Sequence, residues 1–236
     1  MSTKMSVLEP CKLPDSVDIK KIKKSLEEYM TPRKEFYEET SNNLEIEDVF
    51  SEWWVSKSSD GKRIGKGSSG MDVKTSTNDG IDVTCLIMNK HISNEKSLMQ
   101  NFGKAGLNLD SLFAEKKDEE ALSLYLEGYT DKINKTKEKN SLNDLYILSF
   151  ISGVKDVHLL CFKLNIDLIR NVKSDGFKSG FKTIKTKNFI DEKYGNVCLY
   201  KSKKRLELRL NKSCLENEHS VKIYSLTPPA KEESAD

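Results

Sequence analysis

No run of about 18 consecutive apolar residues occurs in this chain of 236 residues, so no membrane-spanning helix is expected. The first residues, MSTKMSVLEPCKLPDSVDIKK, lack the apolar core of a secretory signal. Histidine is scarce: His91, His158 and His219 lie far apart, with no H-E-x-x-H pair and no Ser or Cys nucleophile motif beside them. A glycine-rich phosphate loop is also absent. Five cysteines (Cys11, Cys85, Cys161, Cys198, Cys214) form no C-x-x-C pair and sit mostly among apolar neighbours, which predicts buried free thiols and a reducing cytoplasm. Charge is nearly balanced, 39 Lys and Arg against 37 Asp and Glu, so any polyanion-binding surface must come from local clustering. With metal-cluster, histidine and P-loop chemistries set aside, carboxylates and lysines are left to carry a reaction.

What is present reads as one globular domain over residues 1–236, at 26.9 kDa with 36% hydrophobic residues. Residues 18–30 carry Ile19, Ile22, Leu26 and Tyr29 at helical spacing, and 44–55 place Ile46, Val49, Phe50, Trp53 and Trp54 on one helical face. The two tryptophans belong to the core on this reading. Residues 56–70 read as a loop. A hairpin follows, then a Ser-capped helix over 93–113, broken near Gly103 and Gly106, and a helix over 118–135 with acids at its positive end. The lysine-rich tract 132–140 reads as a solvated connector. The remainder turns to strands at 145–151, 157–164, 183–190, 196–201, 205–210 and 221–226. The first two are almost continuously apolar, as in the centre of a covered sheet, whereas RLELRL alternates as though one face were wet. The fold class is therefore α+β or mixed α/β.

The hairpin GSSGMDVKTSTNDGIDVTCLIMNK, residues 67–90, is the most informative stretch. Asp72 and Asp82 each sit between apolar residues, ten positions apart and separated by Asn78-Asp79-Gly80. A two-residue turn at Asn78-Asp79 sends the two acids to opposite faces. A three-residue turn with left-handed Gly80 pairs 76 with 82, 74 with 84 and 72 with 86. Asp72, Lys74, Asp82 and Thr84 then share one face while Val73, Ile81, Val83 and Cys85 fill the other. This register separates polar from apolar side chains and is preferred. Two carboxylates with a lysine between them form a hard-cation oxygen site suited to metal-assisted phosphodiester hydrolysis.

The stretch resembles the PD-(D/E)xK nuclease family, most closely type II restriction endonucleases, in which an acid ends one strand and an acid-x-Lys lies on the next. Asp72 matches the first acid and Asp82-Val83-Thr84 the triplet, with LMQNFGKAG in the helix behind. The resemblance implies a restriction-endonuclease-like core over 44–165, a central mixed sheet with a catalytic hairpin flanked by helices. It also implies Mg²⁺ held by Asp72 and Asp82, double-stranded DNA as substrate, and a homodimer matching a palindromic site. Thr84 stands where the family has lysine; the preferred register lets Lys74 reach across to it, and the alternative is a protein that binds nucleic acid without cutting. A rival alignment takes Asp60 as first acid and Asp72-Val73-Lys74 as the triplet. Glu45 is the candidate for the helix glutamate that many members add, with Glu52 second.

The C-terminal residues 166–226 read as a β-rich extension that contacts DNA, and 227–236 as a flexible tail. Lys173, Lys178, Lys182, Lys185 and Lys187 accompany Phe177 and Phe181 in NVKSDGFKSGFKTIKTKN, a pattern suited to neutralising phosphates and stacking or wedging bases. Lys201, Lys203, Lys204 and Arg205 make a second cluster. A lysine-protected strand edge would look the same.

Overall fold

Asp18 starts the first helix, α1 (Ile19–Met30): its carboxylate accepts the Lys20 N–H at 2.8 Å. Ile22, Leu26 and Met30, spaced four apart, bury the inner stripe. The computed structural model describes residues 6–65, 70–88, 96–97, 109–202 and 205–226. A single turn over Thr31–Arg33 leads into α2 (Lys34–Thr40), which stops where Ser41 turns left-handed. Next comes α3 (Asp48–Ser58), which turns Ser51, Trp54, Val55 and Ser58 inward at helical spacing. The small serines let the helix lie close to the sheet, and Cys85 Sγ approaches Ser51 Oγ at 3.3 Å. The single apolar face expected for this helix is therefore split: Trp54 is buried, whereas Val49 and Trp53 are about half exposed and Phe50 slightly less so.

The strands are β1 (Leu8–Cys11), β2 (Lys62–Arg63), β3 (Val73–Lys74), β4 (Gly80–Ile87), β5 (Lys96–Ser97), β6 (Leu145–Ser152), β7 (Asp156–Leu164), β8 (Lys173–Lys178), β9 (Thr183–Lys187), β10 (Gly195–Tyr200), β11 (Arg205–Leu210) and β12 (Val221–Ser225). A seven-stranded mixed sheet runs β1-β7-β6-β4-β3-β2, with β12 also paired to β7. Its one parallel pair, β4 with β6, is joined by a crossover that contains α4 (Asp110–Ala114) and α5 (Asp118–Asn140). The second sheet, β5-β11-β10-β9-β8, is antiparallel throughout. The protein is thus a mixed α+β structure.

The mixed sheet is covered on both faces. Val73, Ile81, Val83, Leu148, Phe150 and Leu159 pack with α1 and α3, and Leu86, Ile147, Ile151 and Phe162 with α5. The same α5 core continues into Ile184, Val197, Leu199, Leu206 and Leu208 of the second sheet. Tyr125 of α5 also accepts the Leu206 N–H on its phenol oxygen at 3.0 Å.

Four expectations change. Lys96–Ser97 pair with β11 as strand within the segment expected to be helix over 93–113, most of which lies outside the described residues. The lysine-rich tract 132–140 is no connector but the last turns of α5, whose inner stripe continues through Ile133 and Thr136. Residues 56–70 hold the end of α3 and strand β2 as well as loop. RLELRL has no wet face at its centre: Glu207 is fully buried and takes the Arg205 Nε–H at 2.6 Å. Among the described residues, no helix is long and apolar enough to cross a membrane.

Candidate functional site

The β3–β4 hairpin adopts neither register expected for Asn78-Asp79-Gly80. Val73 pairs with Ile81 and Lys74 with Gly80, leaving 75–79 as the turn. Local hydrogen bonds explain this choice. Thr75 N–H donates to Asp79 O (2.9 Å), Asn78 N–H to Thr75 O (3.1 Å), and Asp79 N–H to Thr75 Oγ1 (3.0 Å), while Thr77 Oγ1 donates to Asp79 Oδ2 (2.7 Å). Asn78, not Gly80, takes the left-handed position, with φ 65°. Gly80 belongs to β4, where a Cβ would stand 2.7 Å from Leu142 Cδ1 and 2.8 Å from Leu145 Cδ2.

The register differs from the preferred one by an even number of residues, so the separation of faces along β4 survives. Ile81 and Val83 are buried on the α3 side, with the half-buried Cys85 packed beside them. Asp82 and Thr84 alternate to the α5 side, where Asp82 comes close enough to Tyr129 that its charge helps hold the phenol protonated. Burial is the larger cause of that upward shift.

Asp72 behaves differently from a strand residue. Its N–H donates to Ile81 O at 3.0 Å, while its carboxylate Oδ2 accepts the Val83 N–H at 2.9 Å, as the next strand carbonyl would. The Asp72 carboxylate is thereby laid against β4 beside the residue that follows Asp82. On its other flank, Ile64 and Gly65 N–H both donate to Asp72 O, at 2.7 and 3.1 Å. Any Cβ at Gly65 would lie 2.8 Å from Asp72 Oδ1, so the glycine is what lets this chain approach the carboxylate.

Lys74 does not face Thr84. It is paired with Gly80, and its ammonium donates to Asn140 O at the end of α5, at 2.6 Å. The cross-strand substitution for lysine at position 84 therefore lacks its geometric basis. Thr84 is buried beside Ser149 of β6, its register partner. Asp60 does not join Asp72: its side chain is 79% exposed in the turn before β2 and bonded to Lys21 Nζ at 3.1 Å. Glu45 precedes α3 rather than starting it and is exposed, with its N–H on Tyr37 Oη at 3.0 Å. It lines a hollow of about 470 Å³ with Glu47, Asp48, Ile87 and Ser152, at the C-terminal ends of the parallel strands. The β4 residue of this hollow nearest to Asp82 is Cys85, three residues and roughly 10 Å along the strand and on the opposite, α3 face, so the structure does not bring Glu45 to the two aspartates. Glu52 is engaged by Arg63. Among the described residues, no group of three or more His, Cys, Asp or Glu side chains is arranged to hold a metal ion, so the acidic pair would need water or substrate oxygens to complete a shell.

The basic tract forms the β8–β9 hairpin, and its lysines divide into two sets. Lys187 Nζ lies 2.8 Å from Asp175 Oδ1, and Lys185 Nζ lies 3.7 Å from Asp175 Oδ2 and 3.3 Å from Glu192 Oε1. The Lys187 contact is the main reason that the Asp175 carboxyl is held below its ordinary pKa. Lys178 and Lys182 flank an exposed tip in which Ser179, Gly180 and Phe181 are all left-handed. Phe181 is about half exposed, with Lys116 Nζ 4.4 Å from its ring centre. Phe177 instead packs edge-on to the buried Phe113 (5.7 Å) and is unavailable as a wedge. Lys173 is exposed on the rim of a groove shared with Glu119, Glu127, Asp131 and Arg170. Arg205 is spent on Glu207. Lys203 and Lys204 lie outside the described residues.

Neither Tyr129 beside Asp82 nor Lys116 over Phe181 is evident from local sequence, although Tyr125, Tyr129 and Ile133 do mark a buried stripe of α5. Comparison with protein-family models, curated proteins and solved structures returned no match.

Proposed function

We propose that this protein is a Mg²⁺-dependent endonuclease of the restriction type, acting on double-stranded DNA through Asp72 and Asp82. The observation that carries the reading is the seating of the Asp72 carboxylate on the Val83 N–H, which fixes one acid on the backbone adjacent to the other. A hairpin edge beside a parallel pair with a helical crossover fits a restriction-endonuclease-like core. Two carboxylates suit Mg²⁺, which is commonly held by one or two protein acids with water and substrate oxygens filling the rest. Bound there, the metal would polarise a phosphoryl oxygen and acidify its water. Asp72 and Asp82 supply the negative charge, Gly65 leaves room for the Asp72 carboxylate, and Tyr129 walls Asp82 on the α5 side. Lys178, Lys182 and Lys116 would neutralise phosphates around the Phe181 tip, with Lys173 farther along β8. A homodimer would match a two-fold symmetric target, and the free thiols of all five cysteines fit a reducing cytoplasm.

A second reading, a nucleic-acid-binding protein without catalysis, is favoured by one observation: Thr84 is buried while Lys74 is committed to Asn140 O. Incubating the full chain with phage-length DNA in Mg²⁺ and in EDTA separates the two. Discrete fragments only with Mg²⁺ support the endonuclease; a salt-sensitive mobility shift without cleavage supports the second reading. The absence of both cleavage and a mobility shift would refute both readings.

A further inference from the structure

Cys11 and Cys161 are direct partners across the antiparallel β1–β7 pair. Hydrogen bonding fixes how they face each other. Leu8 spends its N–H away from β7, on Phe189 O at 2.8 Å, whereas Asn165 N–H donates across to Val7 O at 2.8 Å. The even positions of β1 therefore point outward, which also accommodates Pro10, and Cys11 falls on the hydrogen-bonded, inward-pointing set. Directly opposed residues of that kind have Cα atoms about 5.5 Å apart, inside the usual span of about 4.4–6.8 Å for a disulfide. Their Cβ atoms, up to about 5.5 Å apart, exceed the usual span of about 3.5–4.5 Å, so the edge strand β1 must draw in toward β7 as the bond closes. As cross-strand partners, the two thiols lie on the same face of the sheet, close enough to influence each other's ionisation. Their surroundings differ: Cys11 is half-buried on an edge strand, and Cys161 is fully buried. Lys163 and Asp144, themselves paired at 3.0 Å, are the charged groups nearest Cys11. The contact with Cys161, helped by Lys163, lowers the Cys11 pKa against burial and Asp144, and raises that of Cys161. The other three cysteines sit elsewhere: Cys85 contacts Ser51, Cys198 contacts Asn196, and Cys214 lies in the core.

We propose that Cys11 and Cys161 form a dithiol modification site for hydroperoxides, closing reversibly to a disulfide that fastens β1 to β7. The Cys11 thiolate attacks one peroxide oxygen, the O–O bond breaks, and the departing hydroxide takes up a proton as water, leaving Cys11 as the sulfenic acid. The Cys161 sulfur then attacks the Cys11 sulfur, the S–O bond breaks, and the oxygen leaves as a second water with the Cys161 proton. Two electrons pass from the two sulfurs to the peroxide, and a thiol reductant reverses the change. An accessible attacking thiol backed by a buried resolving thiol is the arrangement that directs oxidation to a disulfide rather than to higher acids. The bond would anchor the segment through which β1 also reaches Phe189, next to the second sheet. This inference is independent of the nuclease reading.

The test treats the full folded chain with hydrogen peroxide, quenches it, and counts free thiols in denaturant. The wild type should lose two of its five thiols, run faster on a non-reducing denaturing gel because residues 11–161 become a closed loop, and recover fully with dithiothreitol. Cys11→Ser, a small change on an edge strand, should abolish the mobility shift, and Cys85→Ser should leave it intact. The proposal is overturned if treated wild type keeps all five thiols, if Cys11→Ser still gains the shift, or if Cys11 accumulates as sulfinic acid while Cys161 stays free.

Discussion

Replacing Lys74 with Met keeps the apolar stem and removes the ammonium, and it distinguishes two roles that the sequence alone merges. The ammonium donates to Asn140 O at 2.6 Å, one of the last carbonyls of α5, which have no partner within the helix. A hydrogen bond from a charged donor contributes about 1.5–3 kcal/mol when well shielded. Lys74 is only half-buried, so screening reduces this to about 1–2 kcal/mol. For a chain of this length that corresponds to a fall in Tm of roughly 2–8 °C. Because the charge is held at the end of α5 and not opposite Thr84, the cleavage rate of the folded variant should stay within about threefold of wild type. Urea titration of both proteins, with cleavage rates measured well below the midpoint, gives both quantities. Unchanged stability with cleavage lost by several orders of magnitude would refute the reasoning and return Lys74 to the catalytic apparatus.

Tyr125→Phe leaves the buried Leu206 N–H without its acceptor and should cost about 1–3 kcal/mol in urea titration, loosening the join between α5 and the second sheet. Lys178→Ala with Lys182→Ala should weaken DNA binding and lower the slope of log K against log salt by up to about one unit per lysine, whereas Lys185→Ala with Lys187→Ala should change it far less, because Asp175 and Glu192 already neutralise that pair. Equal slope changes in the two double variants would show that the ion pairs open on binding. Asp175 has its pKa depressed in the folded state, so the stability it contributes is present above the ordinary carboxylate range and is lost as pH falls through the depressed value. The stability gap between wild type and Asp175→Asn should therefore be largest near neutrality and close below about pH 4; a gap that widens in acid would contradict this sign.

The strands at 145 and 157 were legible because a run such as LYILSF, apolar at nearly every position, has few stable places other than a doubly covered sheet. The division of β4 into an apolar face and an Asp82–Thr84 face was legible too, since strand alternation survives any even register shift. The register itself was not. It depends on Thr75 and Thr77 hydroxyls competing for the turn and on Gly80 N–H bonding Asp144 O at 2.9 Å to join β6, both of which outweigh the local preference for left-handed glycine. The lysine tract hides its helix for a similar reason: Ile133 and Thr136 are too few to mark a helix face without Gly70, whose N–H donates to Thr136 Oγ1 at 3.1 Å, packed against them. RLELRL looks half wet because alternation does not reveal that Glu207 is fully buried and capped by the partly exposed Arg205.

Asp82→Asn preserves size and polarity while removing the charge on which Mg²⁺ binding would depend. Single-turnover cleavage of phage-length DNA, measured in Mg²⁺ and in EDTA for wild type and Asp82→Asn, puts the two-aspartate site to the test. Wild type should cut only with Mg²⁺, and the variant should cut at least about a thousandfold more slowly with DNA affinity within about threefold. Cleavage by Asp82→Asn at the wild-type rate, or wild-type cleavage that persists in EDTA, would contradict it.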